Sequence, residues 1–262
     1  MSQHVSPVGD LLRNWRQQRR LSQLDLALEA EISQKHLSFI ESGRAAPSRA
    51  MVLRLAEQLD VPLRERNAML LAAGFAPAFR GRDADDPALA GAMAAVTRLL
   101  EAHQPYPALT LDRHWNMLAA NAAVPPLLAA VDPDLMRPPV NVLRVSLHPR
   151  GLAPLIVNLA AWREHLLERL RRQARITRDP ALDGLLREVS AYPGGAARDA
   201  RPMSGGGEDV AVLLRLRTQR GTMSLLSAVT VFGTAVEITL AELTLEAFYP
   251  ADEPTRRLLT GG

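Results

Sequence analysis

Residues 21–49 read LSQLDLALEAEISQKHLSFIESGRAAPSR, and this stretch decides the fold of the N-terminal part of the chain. Ser22 and Ser33 each stand directly before a helix-forming run, where a serine side chain can accept a hydrogen bond from the first helical turn. Gly43 follows the second run and can adopt the left-handed conformation that closes many helices. The pattern predicts two short helices joined by a tight turn, which is the arrangement of a helix-turn-helix unit.

Apolar residues on both sides of this unit recur at helical spacing. Leu11, Leu12 and Trp15 form one stripe ahead of it, and such a stripe marks the buried face of a helix. Gly74 and Pro77 mark the point where the helical pattern stops. The additional helices are predicted over 8–19, 49–59 and 63–73, which makes five helices within residues 1–80.

The composition limits the classes of protein to be considered. The chain has 262 residues, enough for two modest domains, and 47% of them are hydrophobic, as in soluble globular proteins. Cysteine is absent, which excludes disulfides, cysteine-zinc sites and thiol catalysis. The sequence shows neither a long uncharged apolar run nor a secretory signal. We therefore expect a cytoplasmic protein without a membrane span. The net charge of +3 predicts a local basic face rather than a general polycation.

The rest of the chain mixes helical and alternating patterns. Residues 74–86 are polar and punctuated by Gly and Pro, and we expect them to connect two domains, 1–80 and 81–262. The order of strands and helices predicts an α+β fold with one antiparallel sheet, and the Gly-rich residues 194–208 are expected to form a mobile loop. Helices are predicted over 87–103, 121–131, 155–175 and 180–191, and strands over 108–111, 115–120, 210–216, 222–232 and 236–247, the last with a bulge or bend near 241–242.

The N-terminal motif has a recognisable set of residues at fixed spacing. These are Gln23, Leu26, Ala27, Ile32, Ser33, Ile40, Glu41, Gly43, Pro47 and Ser48. The set resembles the XRE family of helix-turn-helix regulators, which includes the lambdoid phage repressors. The resemblance implies a five-helix all-α domain with a buried ion pair between Arg16 and Glu41. The sequence departs from the family at Glu31, where the tight turn usually has glycine, so a positive φ there is expected to cost about 1 kcal/mol.

The same resemblance implies roles in binding double-stranded DNA. Gln34, Lys35 and Ser38 would reach base edges in the major groove, where glutamine can pair with adenine and lysine with guanine. A solvated helix face is the alternative for Gln34 and Lys35. His36 is open between solvent, phosphate backbone and bases, and Phe39 between packing and a thymine methyl group. The phosphate backbone would be contacted by Gln23, Ser33, Arg44 and Arg49.

A second resemblance covers residues 81–262. It rests on the segments Leu111-Asp112-Arg113-x-Trp115, Ala119-Ala120-Asn121, Asn141-x-Leu143-Arg144, Phe232-Gly233-Thr234 and Glu242-Leu243-x-Leu245-Glu246. These segments resemble the MmyB-like ligand-binding domain, and the order of elements resembles a PAS domain. The resemblance implies a sensor that holds a small apolar ligand, such as a fatty acid, between a sheet and helices.

Candidate ligand-binding residues follow from side-chain chemistry. Arg144 could hold a carboxylate through a bidentate pair, or it could pair with a structural acid. The arginines of 163–178 are interpreted as a solvated helix face, with contact to DNA or a second subunit as the alternative. Apolar residues that could line a cavity, with plain core as the alternative, are Trp115, Met117, Trp162, Leu226 and Phe232.

Taken together, the sequence predicts a dimeric, ligand-responsive transcriptional regulator, with repression as the default mode. The alternative is a DNA-binding regulator whose C-terminal domain only dimerises or docks a protein partner. A third possibility, an enzyme with a helix-turn-helix appendage, lacks candidate residues, since His114, His148 and His165 are scattered and phosphate-loop and serine-hydrolase motifs are absent. We expect no catalytic activity, cofactor or metal.

Overall fold

The computed structural model describes residues 8–83, 86–194, 212–233 and 235–261. These residues form two compact units, each described by itself below. The first unit holds residues 8–83 together with 235–241, and the second holds the others. Among the described residues, none of the helices combines the length and the apolar composition that crossing a bilayer requires.

Five helices form the N-terminal part of the first unit, close to the predicted bounds. The serines at their starts act as caps, since the Ser22, Ser33 and Ser48 hydroxyls accept hydrogen bonds of 3.1, 3.1 and 3.2 Å from backbone N–H groups. In the turn after the second helix, Glu31 has the expected positive φ, at 52°. The helices are α1 (Val8–Gln18), α2 (Gln23–Glu29), α3 (Gln34–Glu41), α4 (Arg49–Gln58) and α5 (Leu63–Ala72).

The core of this unit fixes α3 against α1 and α2. A Cβ atom added at Gly9 would lie 2.5 Å from the carbonyl oxygen of Ile40, so the start of α1 lies directly against the end of α3. The apolar side chains inside are fully buried, which makes the helices one packed body. The most buried of them include Leu12, Leu26, Leu37, Ile40, Leu55, Leu59, Met69 and Leu70.

The segment before the last strand is helical, and the prediction of a strand over 236–240 with a bulge at 241–242 was wrong. Helix α10 (Ile238–Glu242) occupies this position, and the Leu240 N–H donates to Glu237 Oε2 at 2.9 Å. The Ile238 N–H donates to the Arg80 carbonyl oxygen at 2.9 Å. These contacts within the first unit outweigh the extended preference of β-branched residues such as Ile238 and Thr239.

The second unit is built on a five-stranded antiparallel sheet of order β2-β1-β5-β4-β3. Its fold class is the one that the sequence predicted. The strands are β1 (Ala108–Leu111), β2 (Met117–Ala120), β3 (Leu214–Thr218), β4 (Gly221–Val231) and β5 (Thr244–Pro250). The helices of this unit are α6 (Ala90–Ala102), α7 (Val142–Leu147), α8 (Leu159–Thr177), α9 (Pro180–Ser190) and α11 (Glu253–Thr260).

The two faces of the sheet are covered unequally. The large core lies on one face, where Leu109, Leu111 and Leu225 of the strands pack with side chains of α7, α8 and α9. On the other face, Leu100 of α6 packs on a small cluster that includes Ala108 of β1. The large core therefore lies between the sheet and the helices of residues 142–190.

Several predicted bounds in this unit need correction. The helix expected over 121–131 is only a 3₁₀ turn, Pro125–Leu128, because its two prolines lack the N–H groups that a helix uses. Helix α8 begins at Leu159 rather than 155, after Ile156 has bridged to Leu216 of β3. Helix α7 was not predicted. The expected loop at 195–208 and the start of the strand at 210–211 lie outside the described residues.

Candidate nucleic-acid interface and ligand cavity

Helix α3 presents polar side chains on one face and buries the other. Gln34, Lys35 and His36 are exposed in its first turn, and Ser38 is half-buried. Leu37, between them, has no solvent exposure. The polar residues therefore project from a helix whose buried side is held by the core, which is what docking into a major groove requires.

A charged network locks the end of α3 onto α1 and α2. Arg16 donates to both carboxylate oxygens of Glu41, at 2.7 and 2.9 Å, and Gln23 Nε2 donates to Oε2 at 2.8 Å. Burial acts to raise the pKa of Glu41, but the hydrogen bonds from Arg16 and Gln23 and the charges of Arg16 and Arg13 outweigh it, so the pKa is lowered. The carboxylate stays ionised at neutral pH.

The residues predicted to contact the DNA backbone differ in which hydrogen-bonding groups the structure leaves free. One N–H of the Gln23 amide is used on Glu41, so the second can still donate to a phosphate. The Ser33 hydroxyl accepts a hydrogen bond from the His36 N–H at 3.1 Å while the residue stays exposed. Arg44 and Arg49 are exposed. These placements allow contacts to a DNA backbone.

Phe39 is half-buried and lies between two cations. The ammonium of Lys35 is 5.7 Å from its ring centroid, and the guanidinium carbon of Arg44 is 5.9 Å away. Cation–π attraction of this kind is worth roughly 0.5–1 kcal/mol at exposed sites. Phe39 thereby links a basic residue of α3 with one of the following loop.

The second unit contains an apolar cavity between the sheet and its helices, with a volume of about 90 Å³. Trp115 and Trp162 form two of its walls and Met117 another, and apolar residues of β1, β3, β4 and α7 form much of the rest. The Trp162 indole N–H donates to Ser146 Oγ at 3.0 Å. The lining is the kind that holds a small apolar molecule.

Trp115 is held in an uncommon backbone conformation at the edge of this cavity. Its φ is 67°, in the left-handed region that a bulky residue rarely adopts. The indole N–H donates to Gln173 Oε1 at 2.8 Å, and Gln173 Nε2 donates to the Arg113 carbonyl oxygen at 2.7 Å. These bonds to α8 fix the ring as a wall of the cavity.

One acid among the lining residues is deeply buried and lies within ion-pair distance of an arginine. Glu246 of β5 is 4% exposed, and its Oε1 lies 2.9 Å from Arg169 Nη1 of α8. The Arg169 guanidinium lies over the Trp115 ring, with its carbon 4.8 Å from the centroid. Beside it, burial first and the charge of Arg169 second lower the pKa of His165, although Glu246 acts to raise it. His165 is therefore neutral at pH 7.

Two family models match the chain. The model described as the MmyB-like transcription regulator ligand binding domain matches residues 92–260, more than half of the chain. The chain belongs to the MmyB-like family. The model described as helix-turn-helix matches residues 12–66. The MmyB-like protein is thus a transcription regulator with an XRE-type helix-turn-helix and a ligand-binding domain. No curated protein matches it in sequence.

Of the residues predicted to line a ligand site, Trp115, Met117 and Trp162 line the cavity of the MmyB-like domain. Leu226 does not, because it follows the buried Leu225 on β4 and points to the opposite face, where it is 38% exposed. Phe232 comes after the end of β4 and is absent from the cavity wall.

Arg144 does not line the cavity either. Its Nε and Nη2 each donate to Glu188 of α9 at 2.8 Å, so it pairs with a structural acid, the second of the two predicted alternatives. The Tyr192 hydroxyl also donates to Glu188, at 2.5 Å. Burial, and then this bond, raise the pKa of Tyr192 to about 12. The network joins α7 to α9 and uses the Nε–Nη2 edge of the Arg144 guanidinium on Glu188.

The polar residues that the structure adds to the MmyB-like site are Ser146, Arg169 and Glu246. Arg169 is one of the arginines of 163–178 that were predicted to form a solvated helix face. Most of that face is solvated, since Arg171 and Arg175 pair with the exposed Glu164 and Glu168. The sequence signal for Glu246 was an acid between two apolar residues of a strand. Among the described residues, no three acidic or histidine side chains are grouped so that they could hold a metal ion.

Proposed function

We propose that the protein is a homodimeric repressor that binds an operator through α3 and senses a small apolar ligand in its C-terminal domain. The observation that carries the DNA-binding part is the exposed polar turn Gln34–His36 on a helix anchored by the buried Glu41 network. A dimer would address half-sites about 34 Å apart, one turn of the double helix.

In this proposal, Gln34 and Lys35 contact bases and Ser38 and His36 lie next to them in the groove. Gln23, Ser33, Arg44 and Arg49 contact phosphates. The proposal is supported by where these side chains lie, since the groove-facing turn is polar and cations flank it. The cytoplasm is the compartment in which such a protein would meet its operator.

The test is binding to the DNA upstream of the protein's own gene. We expect the double variant Gln34→Ala, Lys35→Ala to lose at least roughly 30-fold in affinity for the operator, because each of the two base contacts is worth about 1–3 kcal/mol. Binding to unrelated DNA should change less. A matched control is Gln17→Ala, Gln18→Ala, which removes two exposed side chains of α1. A double variant that still selects the same operator would show that these residues do not read bases.

The sensing part rests on the cavity lined by Trp115, Met117 and Trp162. Its apolar lining suits the chain of a fatty-acid-like molecule, the ligand type that the family resemblance implies. An engineered cavity of about 150 Å³ is enough for benzene, so a longer molecule has to widen a cavity of about 90 Å³. The half-buried Leu127 and Leu128 of a 3₁₀ turn are the wall that a ligand could displace with few backbone hydrogen bonds lost.

The alternative is a C-terminal domain that only dimerises or docks a protein. An exposed apolar pair on one face of the sheet favours it, since Leu226 of β4 is 38% exposed and its cross-strand partner Tyr249 of β5 is 43% exposed. Native mass spectrometry of the purified protein separates the two functions. We expect the subunit mass to carry an additional small apolar molecule that is lost on denaturation. A dimer without any such mass, even after incubation with apolar compounds, would favour the alternative.

A further inference from the structure

The polar groups of the cavity indicate which kind of headgroup its ligand has, and this step rests on the ligand-sensing function proposed above. Among the residues that line the cavity, Ser146 and Glu246 are the ones with polar side chains, and Glu246 alone can be charged. A ligand headgroup inside the cavity therefore meets a carboxylate or a hydroxyl.

The cation that pairs with Glu246 lies outside the lining of the cavity. Arg169 donates to Glu246 Oε1 and covers the Trp115 ring, and it is not one of the lining residues. A carboxylate can accept about four hydrogen bonds, whereas one is used on Arg169. Glu246 can therefore still accept a hydrogen bond from a ligand. The Arg169 guanidinium is directed at the Glu246 carboxylate, with which it is already paired.

The sign of these charges discriminates between headgroups. A ligand carboxylate would lie against Glu246 in a site of low dielectric, where like charges repel far more than in water. An ammonium group would add a second cation beside a carboxylate already neutralised by Arg169, leaving a buried net charge, which is costly. An uncharged donor avoids both costs and satisfies the free acceptor of Glu246.

We propose that the ligand is an uncharged apolar molecule with one hydrogen-bond donor, a hydroxyl or an N–H group, that binds Glu246. The apolar body fills the space between Trp115 and Trp162. Specificity then comes from the buried carboxylate, because an analogue without the donor leaves that acceptor unpaired on binding. A fatty acid in its ionised form is excluded by the same carboxylate.

The experiment uses three straight-chain probes with eight carbon atoms each, namely 1-octanol, octanoate and octylammonium. Each is titrated into the full-length protein at pH 7 by isothermal titration calorimetry, below the concentration at which the probe aggregates. We expect 1-octanol to bind at least ten-fold more tightly than either charged probe. Octanoate binding as tightly as 1-octanol, or more tightly, overturns the inference and leaves the ligand-sensing function standing.

Two variants test the role of the carboxylate. In Glu246→Gln the Arg169 guanidinium loses its partner, so we expect the preference to invert and octanoate to bind more tightly than 1-octanol. In the double variant Glu246→Gln, Arg169→Met both charges are gone, and we expect the affinities for 1-octanol and octanoate to come within about three-fold of each other. An unchanged preference for 1-octanol in whichever variant folds overturns the inference.

A matched pair of variants ties the binding to the cavity. Val142→Phe adds volume to a half-buried lining residue, and Leu226→Phe adds the same ring on the opposite face of the sheet. We expect the first to abolish binding of 1-octanol and the second to leave it unchanged. Binding that survives Val142→Phe unchanged overturns the assignment of the site. If no probe binds the unaltered protein, the ligand-sensing function fails, and the inference with it.

Discussion

At the scale of single residues, Glu41 joins three parts of the DNA-binding unit. Its side chain has no solvent exposure, and that of Arg16 is 11% exposed. Arg13 Nη2 also donates to the Glu41 carbonyl oxygen, at 2.5 Å. The resemblance to XRE regulators implied the ion pair, whereas the bond from Gln23 to the same carboxylate could not be inferred from spacing alone.

We expect Glu41→Gln to destabilise the first unit by about 3–5 kcal/mol, because it leaves the Arg16 charge without its partner in a buried place. Hydrogen–deuterium exchange of peptides from α3 measures this loss locally, since a global unfolding curve would mix two units. Glu57→Gln, which changes an exposed acid of α4, serves as the control and should leave exchange unchanged. Equal exchange in both variants would show that the pair does not hold α3.

The same pair gives the first unit a defined acid sensitivity. Because the pKa of Glu41 is lowered in the folded protein, its stabilising contribution is complete above the unfolded value of about 4.3 and is lost as the pH falls through the folded pKa. The protection factors of the α3 peptides, which correct for the intrinsic pH dependence of amide exchange, should therefore fall in this acid range in the unaltered protein. The variant Glu41→Gln should lack this acid-dependent change in α3. The same pH dependence in the variant and the unaltered protein would show that Glu41 is not the group responsible.

At the scale of elements, most helices and strands could be predicted from the sequence, but the pairing and register of the strands could not. Serine caps and apolar stripes are local signals, so α1 to α5 were predicted within a few residues. Leu225 and Leu226 are equally apolar, and only the pairing of Leu226 with Tyr249 of β5 decides which of them points outward. This register is a tertiary property, and it is why Leu226 does not line the cavity.

Charged residues of the site were harder still to predict. Arg169 is one of a run of arginines on α8, and nothing in that run distinguishes it from Arg172, which is exposed. Its role comes from Glu246, which is 77 positions away in the chain. Likewise, the helical α10 depends on bonds to residues 80–82, far from it in sequence. Long-range pairs of this kind leave no periodic pattern.

At the scale of the whole molecule, the chain returns to the first unit between two strands of the sheet. After β4 it forms contacts with residues 80–82, where Glu237 Oε1 accepts from the Arg82 N–H at 3.0 Å and Thr239 Oγ1 donates to the Arg82 carbonyl oxygen at 2.5 Å. It then enters β5, which carries Glu246. The connection between β4 and β5 therefore gives a covalent route from the cavity to the end of the DNA-binding unit.

We expect this connection to carry the effect of ligand on DNA binding. Binding of 1-octanol should change operator affinity by a factor within the usual range of about 5–150, and by linkage the operator should change 1-octanol affinity by the same factor. The double variant Glu237→Ala, Thr239→Val removes the bonds to Arg82. It should keep its affinity for the operator alone and for 1-octanol alone, while the factor by which one ligand changes the affinity for the other falls toward one. Thr222→Val, an exposed change on β4, should keep the full factor. A double variant with undiminished coupling would show that the signal does not pass through residues 237–239.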